Sequence, residues 1–427
     1  MIDINLIRKD PQFVKDALKR KGKDVDFTDF LEKDKQAREL ENKTNTLKAK
    51  KNEVSDSIAK LKKEGKDVQE TIKEMKELGV EIAENDKKLK ELQDYLKNFI
   101  AVLPNLPDPD VVAGGKENNQ KLRSFGEKPT FDFKPKNHVE LCESCGLIDY
   151  KRGVKLAGNG YWIYTNVGAR LEWAILNYFI STHLKDGYCF ILPPHMLSYD
   201  CGFGAGQFPK FADEVYWIKD DDGSCKQFLL PTAETALVNL HAGEILSEND
   251  LPKKYFAYTP CYRKEAGSYR SEERGMIRGH QFNKVEMVQY TTKETSMKAF
   301  EELVNKAEKL VQGLELHYQV SKLAAEDCSA SMARTYDIEV WIPSMNIYKE
   351  VSSASNANDY QARRNNTKYR TKDGKTEYVH TLNASGLATS RIIPALVEQH
   401  QQADGSIKIP KALVPFFGEE YIYPIKK

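Results

Sequence analysis

The sequence has no apolar run approaching the roughly 18–20 residues needed to cross a bilayer, which excludes a helical membrane span. Its opening, Met1-Ile2-Asp3-Ile4-Asn5, carries an early acid and lacks the basic-then-apolar pattern of a secretory signal. An excess of one charge is missing too: 64 Lys and Arg stand against 63 Asp and Glu, a net +1, so any basic binding surface has to be local. Cysteine is scarce and odd in number. Seven thiols scattered over 427 residues argue against a disulfide framework and for a reducing, cytoplasmic location. There is no G-x-x-x-x-G-K-[ST] loop, and Gly202-Phe203-Gly204-Ala205-Gly206 lacks the spacing and flanks of a dinucleotide fingerprint. What remains is a chain long enough for two or three domains, 40% hydrophobic and 30% charged.

The charge is concentrated near the N-terminus. Residues 32–97 hold 17 basic and 16 acidic side chains, with no aromatic one before Tyr95. Leu40, Leu47, Val54 and Leu61 recur every seven residues, as do Met75, Ile82, Leu89 and Leu96. Two heptad tracts separated by Lys63-Glu64-Gly65-Lys66-Asp67 predict an antiparallel helical hairpin. Helices of about 25–33 residues give an arm of roughly 40–50 Å, projecting from the body because only two helices share the seam. Residues 33–63 carry a net charge of +5 and residues 64–97 one of −3. Lys43, Lys48, Lys50, Lys51, Lys60, Lys62 and Lys63 form either a solvated coiled-coil face or a surface that follows an RNA backbone, and composition does not decide between them. Ahead of the arm, Asp10-Pro11 starts a short amphipathic helix through Phe13, Val14 and Leu18. After it, Leu103-Pro104-Asn105-Leu106-Pro107-Asp108-Pro109 admits neither helix nor central strand, which places a linker over residues 104–112 between domains 1–103 and 113–427.

The larger domain mixes helix and strand. Helical spacing runs from Gly168 to Thr182, and a short strand over Tyr188–Leu192 runs into Pro193-Pro194. Strand-like segments recur at residues 226–230, 254–259, 284–290, 337–342 and 347–351, and a last helix begins near Leu387. Neighbouring strands without regular intervening helices predict an antiparallel sheet in an α+β fold. The densest polar segment is Thr259-Pro260-Cys261-Tyr262-Arg263-Lys264-Glu265, followed by Arg274 through Phe282 and by Lys284-Val285-Glu286-Met287. It reads as a hairpin with arginines at its mouth, and guanidinium forks suit carboxylate and phosphate.

This hairpin resembles motif 2 of the class II aminoacyl-tRNA synthetases, and the chain as a whole resembles the seryl-tRNA synthetase family. Gly168-Ala169-Arg170-Leu171-Glu172 through Pro194 is similar to motif 1, and Pro231-Thr232-Ala233-Glu234 to the family's serine loop. Glu350-Val351-Ser352-Ser353 is similar to its ATP strand, and Leu382-Asn383-Ala384-Ser385-Gly386-Leu387-Ala388-Thr389-Ser390-Arg391 to motif 3. The resemblance implies activation of L-serine by ATP and transfer to tRNA(Ser), with tRNA(Sec) a further candidate, by a cytoplasmic homodimer joined through motif 1. It implies catalytic roles for Arg263, Glu265 and Arg391. Thr232, Ala233, Glu234, Arg263, Glu286, Asn383 and Ser385 would hold serine. Arg263, Lys264, Glu265, Arg274, Phe282, Glu350, Val351, Ser352, Ser353 and Arg391 would hold ATP, with Mg²⁺ at Glu350 and Ser353, and the arm lysines would hold tRNA. The rivals are a paralogue that loads a carrier protein and a non-catalytic RNA-binding or regulatory one. The first would lack the arm, and the second would be damaged at Arg263, Glu286, Glu350 or Arg391.

Some positions depart from the family pattern. Arg270-Ser271-Glu272-Glu273 replaces a glycine-arginine-aspartate-threonine run, and Ser329, Ala384 and Ser390 each stand for a glycine. Lost glycines restrict the backbone and are expected to add bulk close to substrate, as in a divergent or duplicated copy. Cys142-Glu143-Ser144-Cys145 has half the spacing of a zinc site but no second pair, so no zinc is expected.

Overall fold

The computed structural model describes residues 1–65, 67–265 and 275–426. The chain forms two compact units, one of Ile2–Lys19 and Lys23–Leu103, the other of Met1, Arg20–Gly22 and Pro104–Lys427.

In the smaller unit Asp10 accepts the Phe13 N–H at 2.9 Å and starts α1 (Pro11–Arg20), which buries Val14, Ala17 and Leu18. Phe13 itself is half exposed, so the apolar stripe is narrower than its spacing predicts. Helices α2 (Thr28–Lys63, 36 residues) and α3 (Gln69–Ala101, 33 residues) are joined through Gly65, whose φ of +69° suits glycine at the turn. The seam contains both heptad series, with Val54, Ile82 and Leu96 buried and the rest half-buried. Ala37, Thr44, Lys51 and Ile58 interleave with the first series at the other seam position. At the base of the hairpin Phe27, Phe30 and Phe99 cluster, and Arg8 grips buried Asp34 through Nε (2.8 Å) and Nη2 (2.6 Å).

The pairing of α2 with α3 changes the reading of the lysines. Lys43 pairs with Glu81 (2.8 Å), Lys48 with Asp86 (2.9 Å) and Lys50 with Glu74 (2.8 Å), so the acid-rich helix neutralises much of the lysine-rich one. Lys51 is not on the outer face. It is half-buried in the seam, and a Cβ added at Gly79 would lie 3.5 Å from its Nζ. Lys60 and Lys63 are exposed near the turn, while the Lys62 side chain lies outside what the structure describes.

The larger unit is built on an eight-stranded sheet. Its strands are β1 (Gln120–Phe125), β2 (Cys189–Ile191), β3 (Lys253–Tyr262), β4 (Gln281–Thr291), β5 (Tyr318–Lys322), β6 (Arg334–Ile342), β7 (Ile347–Asn356) and β8 (His380–Ala388). They lie in the order β1-β5-β6-β7-β8-β4-β3-β2, antiparallel throughout except that β2 runs parallel to β3. Helices α4 (Asn166–Lys185), α5 (Ser296–Gly313) and α6 (Thr389–Gln399) pack on one face. There Leu171, Ile175 and Phe179 of α4, Phe300 and Leu303 of α5 and Ile392 and Leu396 of α6 meet Val285, Met287, Val351, Ala354 and Ala384 from the strands. Cys142 and Cys145 belong to the same core, and burial pushes the Cys142 thiol up to about 12.

The strand β8 was not expected. Thr-Leu-Asn-Ala-Ser-Gly has little intrinsic β preference, and pairing on both sides, with β7 and β4, overrides it, so the last helix begins at Thr389 rather than near Leu387.

The start of α4 is set by contact with backbone. A Cβ built on Gly168 would stand 1.9 Å from the Leu147 carbonyl oxygen, which also accepts the Thr165 N–H at 2.9 Å. Gly168→Ala is therefore expected to destabilise the larger unit by about 1–3 kcal/mol, read as a lower urea midpoint for that unit's transition. An unchanged midpoint would contradict this packing.

Candidate active site

The sheet face opposite the three helices carries the polar residues, and the strand period places them there. Along β4, Val285 and Met287 enter the core, so Phe282, Lys284 and Glu286 point to the other side. Two register shifts then re-aim neighbours. Between β6 and β7, Ile338 pairs with Ser352 and Glu339 with Glu350, leaving Val351 as an extra residue. The bulge puts Glu350 and Ser353, three apart in sequence, on one face. Between β4 and β8, Glu286 pairs with Ser385 and Lys284 with Ala388, so Gly386 and Leu387 bulge opposite Val285. Leu387 has φ +104° there, a strained conformation for a leucine held by strands on both sides.

A shallow cleft opens on this face, lined by Arg263, Glu265, Arg278, Phe282, Lys284, Glu350 and Arg391 among others. The Arg263 guanidinium stands 5.3 Å over the Phe282 ring, and its Nε donates to the Pro231 carbonyl at 3.2 Å. Arg391 donates through Nη1 to the Glu350 carbonyl at 2.8 Å and lies 3.3 Å from the Glu350 carboxylate. Glu265 accepts from Arg278 at 2.8 Å. Beside the cleft, Lys284 donates to the Thr232 hydroxyl at 2.7 Å and ion-pairs with Glu286, and the Thr232 hydroxyl is 3.3 Å from Glu286 Oε2. Glu234 accepts from Gln361 at 2.8 Å, with Asn383 as a further neighbour. Three guanidinium groups thus line the cleft, and the carboxyls of buried Glu286 and half-buried Glu234 lie near each other beside it.

The acids differ in charge for physical reasons. Burial, reinforced by the charge of Glu286, pushes Glu234 up to about 7. Burial also pushes Glu350 upward, but Arg391 and Arg263 outweigh it and hold this carboxyl below its ordinary value. Asp337, buried under Ser353 and facing Glu350, is driven well above the usual carboxylate range by burial first and that charge second. Its Oδ1 accepts the Ser353 hydroxyl at 2.6 Å.

Most of the residues singled out from the sequence meet here, and several do not. Ser352 turns away and donates to the Ser385 carbonyl at 2.7 Å, and Val351 lies in the core with only its edge at the cleft. Ala233 is wholly buried in a second apolar cluster, so it offers the site backbone only. Lys264 follows the end of β3, its N–H on the Glu214 carbonyl, and is not among the cleft-lining residues. Arg274 and Arg270–Glu273 lie outside the described residues. Two of the glycine replacements do not crowd a substrate: Ala384 points into the core and Ser329 is exposed, whereas Ser390 does line the cleft. Lys284, Asp337, Arg278 and Gln361 were missed. Lys284 was legible, because it alternates with Phe282 and Glu286 on one strand face, but Asp337 is revealed only by its pairing opposite Ser353.

No group of three or more His, Cys, Asp or Glu able to hold a metal occurs among the described residues. Glu350, ionised and about 43% exposed at the cleft, and Ser353 offer oxygen donors only, the donor chemistry that would suit Mg²⁺.

The arginine-bearing antiparallel hairpin is the segment that resembles motif 2 of the class II aminoacyl-tRNA synthetases, and residues 216–400 match the model of that class's core domain (G, H, P, S and T). Residues 1–107 match the seryl-tRNA synthetase N-terminal domain. The chain is 60% identical to serine–tRNA ligase 2 of Clostridium acetobutylicum over 98% of its own length and all of that protein. A solved seryl-tRNA synthetase of Pyrococcus horikoshii, complexed with ATP, superposes with a TM-score of 0.91 at 33% identity, each chain covered completely. A cytoplasmic serine–tRNA ligase of Naegleria fowleri in complex with AMP gives 0.85 at 25% identity, covering 100% of this chain and 99% of that one. The chain belongs to the seryl-tRNA synthetase family.

The carboxyl group of Glu234 is expected to titrate near pH 7, and Gln361→Leu to move that midpoint higher, since the Gln361 amide favours the ionised form. Infrared difference spectra against Glu234→Gln would resolve the carboxyl stretch. A midpoint near 4.5 would contradict the burial described here.

Proposed function

We propose that the chain activates L-serine with ATP, forming seryl-adenylate and pyrophosphate, and then transfers the seryl group to the 3′ end of tRNA(Ser), with tRNA(Sec) as a second acceptor. The observation that carries this reading is the two-part polarity of the site, a guanidinium-lined cleft with the neighbouring carboxyls of Glu234 and Glu286 beside it. Serine is a zwitterion, and so divided a site holds both ends of it. The carboxylates of Glu234 and Glu286 face the ammonium, Thr232, Asn383 and Ser385 supply hydrogen bonds around the hydroxyl, and Arg263 holds the carboxylate against the α-phosphate.

Activation needs no base, because the serine carboxylate is already ionised at neutral pH. The barrier is lowered by in-line placement and by cations aimed at charge that grows on the phosphate. Arg263 and Arg391 supply those cations, Glu265 orients Arg278 at the cleft mouth, and Phe282 offers a face for adenine. Glu350 and Ser353 hold Mg²⁺, which when bound neutralises phosphate charge. Residues 1–103 form the tRNA-binding domain and 113–427 the catalytic domain, and residues 104–112, expected as a linker, belong to the larger compact unit. Lys60 and Lys63, exposed near the arm's turn, are the favoured phosphate contacts among the arm lysines. Trp173 and Leu192 are 51% and 72% exposed in the segment similar to motif 1, which supports a homodimer across that face. A cytoplasmic location belongs to the same reading, and no helix among the described residues is long and apolar enough to cross a membrane. The carrier-protein and non-catalytic alternatives have nothing in their favour in a chain that keeps the arm and Arg263, Glu286, Glu350 and Arg391 together.

Arg263→Ala is expected to reduce serine-dependent ATP–pyrophosphate exchange about 10²–10³-fold while the fold persists, the scale of losing one transition-state donor. Exchange near the wild-type rate would remove Arg263 from the chemistry. Replacing Lys60 and Lys63 with Gln is expected to leave exchange unchanged, weaken tRNA binding and flatten its salt dependence, the logarithmic slope falling by about 0.7–0.9 for each phosphate no longer neutralised. An unaltered slope would mean that these lysines are merely solvated.

A further inference from the structure

Glu172 lies on α4 at a position that spacing alone assigns to the core. Gly168, Leu171, Glu172 and Ile175 make one helical stripe, and the Glu172 side chain is only 3% exposed. A carboxyl group is costly to bury, and an apolar residue would fill the same space more cheaply. Its contacts explain why it is there. Oε1 accepts a hydrogen bond from Asn283 Nδ2 at 2.7 Å and another from the Thr389 hydroxyl at 2.6 Å. Asn283 follows Phe282 on β4, and Thr389 is the first residue of α6, two before Arg391. The Thr389 hydroxyl also lies 3.3 Å from the Asn283 carbonyl, and the Tyr258 hydroxyl donates to Asn283 Oδ1 at 3.2 Å, so β4 and α6 meet α4 at this carboxyl and β3 joins them through Asn283. The Tyr164 phenol lies beside it without closing a hydrogen bond to it.

We propose that Glu172 is a positioning residue of the adenylation site, fixing from α4 the two backbone points on which Phe282 and Arg391 are mounted. The inference rests on the reading of Phe282 and Arg391 as ATP-facing residues. Phe282 is carried on a strand end beside an arginine-bearing loop, and Arg391 on the first turn of a helix whose N-cap, Ala388, has no side chain to anchor it. The β4–β8 ladder ends at the Lys284–Ala388 pair, and just beyond it the Glu172 carboxyl ties the side chains of Asn283 and Thr389 to a third element, α4. Oε1 joins them through a single atom, so the separation of ring and guanidinium becomes a property of the packed sheet rather than of the cleft. Neither contact is made to a serine-pocket side chain: Glu234, Thr232 and Lys284 bond to other partners. The effect should therefore fall on ATP and not on serine.

The test is steady-state pyrophosphate exchange with ATP and serine varied separately. Glu172→Leu is expected to raise the KM for ATP about tenfold or more, since small misplacements of positioned groups are amplified in this way, and to leave the KM for serine within about twofold. Glu172→Gln, which keeps an oxygen at Oε1, is expected to stay near wild type. Should the leucine variant not fold, Thr389→Val removes one donor at constant shape and is expected to raise the ATP KM in the same sense, with Thr389→Ser restoring it. A lowered melting temperature with unchanged ATP dependence in Glu172→Leu and Thr389→Val would make Glu172 purely structural and overturn the inference, as would equal shifts for both substrates. Arg391→Ala separates the two levels. An unchanged ATP KM there overturns the assignment of the nucleotide site itself. A raised one with unaffected Glu172 and Thr389 variants overturns only the role of Glu172.

Discussion

The antiparallel pairing of β4 between β3 and β8 is the constraint on which the rest of this protein depends. It sorts alternate side chains of one strand into opposite environments, with Val285 and Met287 sealed under three helices and Phe282, Lys284 and Glu286 raised on the other face. A slip of one residue would bury a lysine and a glutamate in an apolar core and discharge the core into the cleft. Register here is thus enforced by stability, and the site inherits its geometry from that enforcement at no further conformational cost. The two bulges refine it. One extra residue at Val351 brings Glu350 round to the side of Ser353, and another at Gly386-Leu387 lets β8 turn into α6 so that Arg391 faces the same cleft.

Electrostatics follow from that placement. Glu350 keeps its charge because two arginines reach it, whereas Asp337, one strand away and buried behind it, is pushed towards neutrality by burial and by that same charge. Glu234 rises towards 7 because desolvation disfavours its charge, and the charge of Glu286 adds to that. A group entering with a positive end favours both carboxylates together, and one with negative charge favours the arginines. The resting structure is therefore one in which like charges are held close at some expense, tolerable because Lys284, Gln361 and Arg391 each offset part of it. In the arm the opposite economy holds. Its charges are nearly all at the surface, its ion pairs join exposed side chains of two helices, and each contributes little by itself. Its rigidity comes from the seam and from the aromatic cluster at its base.

Local pattern and motif order settled a good deal in advance. Heptads of leucine, isoleucine, valine and methionine on either side of a glycine turn point to a two-helix hairpin, which hides both stripes against each other within one chain. Alternating strands without intervening helices determine an antiparallel sheet, and Arg263, Phe282, Glu286, Glu350 and Arg391 stand in an order that identifies the family before any contact is known. Even Lys284 was readable from its place two residues from Phe282 and Glu286.

Other features depend on which segment lies beside which, and no local pattern carries that information. The weak strand Thr381–Ser385 exists because β7 and β4 flank it, not because its residues prefer to be extended. Ser352 and Ser353 are equivalent in sequence, and a bulge opposite Ile338 and Glu339 alone turns one to the core and the other to Asp337. Lys51 read as a surface charge until α3 arrived with Gly79 to accommodate it. Glu172 read as one letter of a motif, and became the acceptor of Asn283 and Thr389 only when residues 111 and 217 positions away were packed against α4. Periods, charges and the inventory of reactive groups follow from residue order alone, since these are properties of neighbours along the chain. Register, bulges and buried acceptors come from packing, because each is the outcome of a competition among distant segments for one core.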